Sequence, residues 1–178
     1  MSEKRLVIDQ LKLTFDGPFD LPGLYKLIDN FFYERNWDKF EKLNTEQVLP
    51  TGRNIKIELV NWKSITDYYK ITMRIRLYSK DLIHTSIEHD GKTVELNKGK
   101  VMLVIDGYVD ADRHGKWEGS PFNWFLREIF DKYIFKGHFG KAEQWLVSDV
   151  NDLYGQIQTY LNVYHYKTDK VVTPWELP

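Results

Sequence analysis

Cysteine is absent from the 178 residues of this chain. Disulfides, zinc–thiolate centres, iron–sulfur clusters and thiol catalysis are therefore excluded, and the composition is compatible with a reducing compartment. Long apolar runs are missing too. The longest uninterrupted aliphatic stretch, Val101 to Ile105, is far short of the roughly 20 residues that a membrane-spanning helix needs. Met1 to Arg5 lead directly into mixed polar and apolar sequence, without the apolar core of a secretory signal. These absences predict a cytoplasmic protein. Neither sign of charge dominates: the formal net charge is −1, so a general nucleic-acid binder is not indicated, and any such role would belong to a local patch. The sequence also lacks a Walker A loop, a G-x-G-x-x-G turn and a G-x-S-x-G elbow, which leaves no motif for a phosphate-cradling loop or an activated serine.

What the chain has is apolar and aromatic bulk. Hydrophobic residues make up 42% of it, with 10 Phe, 11 Tyr and 6 Trp. That is enough to build one well-filled core at this length. We read residues 1–166 as a single domain. Residues 167–178 carry two prolines and no periodicity, so they are expected to be an extended or disordered tail.

Alternation at Leu11, Leu13 and Phe15 predicts a first strand over about 5–15, ended by Asp16-Gly17-Pro18. Asp20 is placed to cap a helix with Pro22 in its first turn. Leu24, Leu27, Ile28, Phe31 and Phe32 follow at helical spacing, and the helix should stop near Asn36. Residues 38–53 are polar and carry no clear period. Strands are then expected from Asn54, over about 68–79 and over about 82–88, with Ser79-Lys80-Asp81 as a turn between the last two. Asp90-Gly91 is a two-residue hairpin signal, and the return strand begins at Thr93. A turn is expected at Asn97 to Lys100. Val101 to Ile105 is apolar at every position, which predicts a central strand covered on both faces. A second copy of the chain is one way to cover the further face, so a homodimer is expected.

Ser120 and Pro121 then open a helix with a Phe122, Phe125, Leu126, Ile129, Phe130, Tyr133 stripe. A long last helix over about 141–163 is expected to bury Trp145, Leu146, Val150, Leu153, Ile157, Tyr160, Leu161 and Tyr164. The fold class is α+β: an antiparallel meander of five or six strands, packed by one N-terminal and two C-terminal helices. This order of elements resembles, in outline, helix-grip (START-like) ligand-binding folds. The resemblance implies an aromatic-lined cavity between the sheet and the long helix.

Three segments carry candidate chemistry. His84, Glu88 and His89 approximate an inverted zinc-protease signature, but one residue too many separates the histidines. At strand period they also project to opposite faces, so they read as exposed hairpin side chains. Asp106, Asp110, Asp112 and His114 form the densest acid cluster. Counted from Asp110 as an EF-hand loop, position twelve is Pro121 in place of the bidentate Glu. Asp110, Asp112 and His114 remain the residues nearest to a metal site, though none is expected, and no cofactor is.

The third segment is the most informative. From Arg53 to Lys80 there are seven cations against Glu58 and Asp67. Within it Ile71, Met73, Ile75 and Leu77 alternate with Thr72, Arg74, Arg76 and Tyr78, so a strand buries one face and presents the arginines on the other. Lys70 and Tyr78 share that outward face, and Trp62 is close in sequence. Cations beside aromatic rings suit phosphate contacts and base stacking; pairing of the arginines with acids on a neighbouring strand is the competing reading. If they point to solvent, replacing Arg74 or Arg76 should cost about 0.5 kcal/mol or less. The expected function is a non-enzymatic assembly or regulatory factor. It would dock on a protein or ribonucleoprotein machine, ribosome or RNA included, through Lys70, Arg74, Arg76, Tyr78 and Trp62. The alternative is a small-molecule binder or enzyme that uses the helix-grip cavity.

Overall fold

The computed structural model describes residues 3–66, 69–89, 92–111 and 136–168, with side chains placed within 4–66, 69–86, 95–110 and 140–162. Five strands and two helices lie in these segments: β1 (Glu3–Phe19), α1 (Leu21–Glu34), β2 (Asp38–Leu49), β3 (Gly52–Ser64), β4 (Tyr69–His89), β5 (Lys92–Ala111) and α2 (Lys136–Thr168). The strands form one antiparallel sheet in the order β1-β5-β4-β3-β2. The fold is thus α+β with an antiparallel sheet. The helix expected after Ser120 lies outside the described residues, as do the turn at Asp112 to Gly115 and the tail beyond Thr168.

The meander runs β2 to β5, and β1 closes it by pairing with β5. That places Val101 to Ile105 inside the sheet, with Phe15 to Leu11 on one side and Ser79 to Ile75 on the other. Leu13, Leu59, Ile71, Met73, Ile75, Leu77, Leu103, Ile105 and Val109 face the helices and are buried. From α1 they meet Leu24, Ile28, Phe31 and Phe32. From α2 they meet Ala142, Leu146, Val150, Leu153, Ile157 and Leu161, spaced three and four apart as one helical stripe requires. Trp145 does not belong to that stripe; it is 54% exposed. Asp20 has the extended backbone of an N-cap but makes no side-chain cap bond. Its carbonyl instead accepts the Tyr160 hydroxyl at 3.2 Å, which ties the start of α1 to α2. A Cβ at Gly23 would meet that hydroxyl and the Asp20 carboxylate, so a larger residue there would have to displace both side-chain ends.

Four sequence expectations change. Residues 38–49 form an edge strand that is exposed almost throughout, which is why no buried period marks them. Asp16-Gly17-Pro18 does not end β1, because pairing continues to Phe19↔Asn97. The two turns expected at Ser79 to Asp81 and at Asn97 to Lys100 are opposite sides of one bend in a continuous β4–β5 hairpin. The bend is an irregularity between Lys80 and Ile83, with Asp81 at φ +53. The Asp81 N–H donates to Asn54 Oδ1 at 2.9 Å, so the displaced backbone group is satisfied outside the ladder. Pairing then resumes to His89↔Lys92 and brackets Asp90-Gly91, which lies outside the described residues.

Candidate functional site

Cross-strand partners share a face of the sheet, so the register composes the surface that turns away from the helices. Five rows cross it. The first runs Lys4, Asp110, Lys70, Ser64; the second Leu6, Tyr108, Thr72, Trp62, Asp38. A third joins Asp106, Arg74, Val60 and Phe40, and a fourth Lys12, Val104, Arg76, Glu58 and Leu43. The fifth is Thr14, Met102, Tyr78, Lys56 and Thr45, beyond which Lys80 stands opposite Lys100. Lys70, Arg74, Arg76, Tyr78 and Trp62 are thus brought onto one face.

The two arginines on this face are not free. Glu58, 9% exposed at the side chain, receives Arg74 Nε and Nη2 at 2.8 Å on one oxygen and Lys42 Nζ on the same oxygen at 3.1 Å. Asp106, 4% exposed at the side chain, receives Arg76 Nη2 at 2.6 Å and the backbone N–H of Gln10 at 3.1 Å. Burial pushes the Glu58 carboxyl up, but the Lys42 hydrogen bond and the Arg74 charge outweigh it, and the group titrates below its ordinary value. Burial acts to lower Arg74, and the Glu58 charge and hydrogen bond reverse that and raise it. The reading in which the arginines pair with acids on neighbouring strands is the one the structure shows; the small stability cost expected of replacing them is corrected, because each pairs with a largely desolvated carboxylate. Val104, the cross-strand neighbour of Arg76, is 4% exposed. Met102 beside them is 37% exposed.

Lysines hold the rest of the face. Lys4 lies 4.1 Å from the centroid of the Tyr108 ring, Lys70 5.2 Å from that of Trp62, and Lys56 5.5 Å from that of Tyr78. Lys4, Lys12, Lys56, Lys70 and Lys80 have no carboxylate partner among the described residues. The surplus charge of the face is therefore carried by lysines, several of them next to rings. Sequence reasoning singled out Lys70, Trp62 and Tyr78 but missed Glu58 and Asp106 as partners, and missed Lys12 and Lys100 on the neighbouring strands. The signal for the acids was present: each lies two or four residues from other outward positions in its own alternating strand.

The acid cluster separates. Asp106 belongs to the Arg76 pair, and Asp110 accepts the Thr72 hydroxyl at 3.0 Å. Asp112 and His114 lie outside the described residues, as do the side chains of Glu88 and His89, while His84 is exposed. Among the described residues no three metal-binding side chains converge, and no helix is long and apolar enough to cross a membrane. Compared with known proteins, the chain matches no family model, no curated protein and no solved structure.

Proposed function

We propose that this chain is a non-enzymatic docking factor whose outward sheet face binds single-stranded RNA within a ribonucleoprotein partner. One observation carries the reading: on that face the two buried carboxylates, Glu58 and Asp106, are matched to arginines, while lysines without a carboxylate partner among the described residues lie beside Trp62, Tyr78 and Tyr108. Lysines supply phosphate contacts and rings supply base stacking, a combination that tolerates sequence variation in the strand. Lys70 with Trp62, and Lys56 with Tyr78, are the contacting pairs. Arg74 and Arg76 hold the face in shape through Glu58 and Asp106. The test is fluorescence anisotropy with a labelled single-stranded RNA at a series of salt concentrations. Binding should weaken with a log–log slope of about −0.7 for each phosphate contact. A protein that leaves the labelled RNA free at low salt would refute this function.

A further inference from the structure

The structure assigns the phosphate seat of this face to its Lys80–Lys100 end, with Tyr78 as the base platform, rather than to the arginine pair. The assignment rests on the RNA-binding reading above and deepens it. Lys80 and Lys100 are direct cross-strand neighbours. Like charges so placed repel, and a sheet ordinarily avoids them. Relief within the chain is slight: Asp16 Oδ2 lies 3.7 Å from Lys100 Nζ, and both side chains are mostly exposed. An anion between the two ammonium groups would remove the repulsion.

The backbone builds a place for one. Beside the bend in the β4–β5 hairpin lies a depression of about 650 Å³, lined among others by Thr14, Asp16, Tyr78, Lys80, Lys100 and Met102. The irregularity after Lys80 interrupts the regular ladder between Lys80↔Lys100 and Ile83↔Lys98. Gly99 makes the approach possible, since a Cβ on it would lie 3.0 Å from the carbonyl oxygens of Lys80 and Asp81 and 2.9 Å from Leu82 Cδ2. Met102 is the cross-strand neighbour of Tyr78, so ring and thioether give an apolar floor next to two ammonium groups. Lys56 on the other side of Tyr78 and Lys12 one row away extend the positive charge across four strands. Stacking of a base on Tyr78 would displace Lys56 from the ring and release it to the next phosphate. An acidic peptide would use the lysines but leave the ring and Met102 idle, so the geometry favours a nucleotide strand.

The experiment uses the full chain and a fluorescein-labelled uridine 12-mer. Lys80→Glu with Lys100→Glu should weaken binding at least tenfold and flatten the salt slope by about 1.4, the share of two single-strand phosphate contacts. Tyr78→Leu should weaken binding about tenfold while leaving the slope unchanged, because stacking releases no counterions. Lys26→Glu with Lys141→Glu, on the helical side, makes the same change of net charge and should have little effect. All four lysines are exposed, and a thermal melt confirms that each variant is folded. If the wild-type chain binds RNA and the Lys80/Lys100 variant binds with unchanged affinity and slope, the seat lies elsewhere and only this assignment fails. If the wild type ignores RNA, the assignment falls together with the function. Equal binding of polyglutamate, with Tyr78→Leu silent, would overturn the nucleotide assignment.

Discussion

Asn61 should be better replaced by leucine. It sits in β3 on the face beneath the helices, opposite Met73 of β4 and Lys39 of β2. Its solvent exposure is 0%, and neither Nδ2 nor Oδ1 has a hydrogen-bond partner among the described residues. A buried amide left unpaired costs about 1–3 kcal/mol. Leucine keeps the branch at Cγ and the same number of side-chain atoms, replacing the amide with two methyls. Allowing for the slightly larger methyl groups, Asn61→Leu should gain about 1–2 kcal/mol. At about 2–4 °C per kcal/mol for a domain of this size, the melting temperature should rise by about 2–8 °C. Asn61→Ala also removes the amide but leaves a void, and it should lie about 2 kcal/mol below the leucine variant. Thermal melts and urea titrations of the three proteins give the comparison, with equal m-values as evidence of unchanged folded and unfolded states. A leucine variant that melts at or below the wild-type temperature would refute the reasoning. It would mean that the amide is bonded in solution, to water or to a ligand between sheet and helices, and would revive the cavity implied by the helix-grip outline.

Two further outcomes follow from the ion pairs. Arg76→Ala strands the Asp106 carboxylate, 4% exposed, and should cost about 3 kcal/mol in urea unfolding; a loss under 1 kcal/mol would show that the pair is solvated after all. Glu58 titrates below its ordinary value of 4.5 because of Lys42 and Arg74. The stability that its ionised form supplies is therefore complete above about pH 4.5 and is lost as the pH falls through the lower folded-state value. Glu58→Gln should melt lower than wild type at pH 7, and the gap should narrow steadily as the pH falls below about 4.5. A gap that stays constant with pH would assign the loss to packing rather than charge.

Local patterns made much of this molecule legible. The stripe of α1, the alternation of β3 and β4 and the existence of α2 follow from periods of 3.6 and 2, and the internal position of Val101 to Ile105 from an unbroken apolar run. Failures arose where local chemistry was overruled at a distance. Gly17-Pro18 and Ser79-Lys80-Asp81 are turn-forming in isolation, but each is carried through as strand because a partner strand continues beside it. β2 is invisible to periodicity because it lies at the edge with both faces largely wet. The candidate face was located by alternation alone, since outward positions on β4 need no knowledge of neighbours. Its electrostatics were not, since whether Arg74 meets Glu58 or solvent depends on a register that joins residues 16 apart in sequence.

That register changes what a charge run means. Seven cations between Arg53 and Lys80 look like one basic patch in the sequence. In the sheet six of them divide into two chemically different sets, while Lys63 donates to the Arg35 carbonyl at 2.8 Å. Arg74 and Arg76 face buried carboxylates, and Arg53 is engaged by Glu46 at 3.1 Å and Asn97 at 2.9 Å. Planar forks suit such fixed partners. Lys56 and Lys80 are exposed and Lys70 is half-buried, and none of the three has a carboxylate partner among the described residues. Charges held by internal partners release few counterions on binding, whereas solvated lysines release about one for each phosphate neutralised. On the proposed RNA-binding reading, the salt slope of the intact protein therefore counts the lysines in use. Substituting the arginines, by contrast, would lower binding through damage to the sheet and leave the slope of the surviving folded fraction almost unchanged.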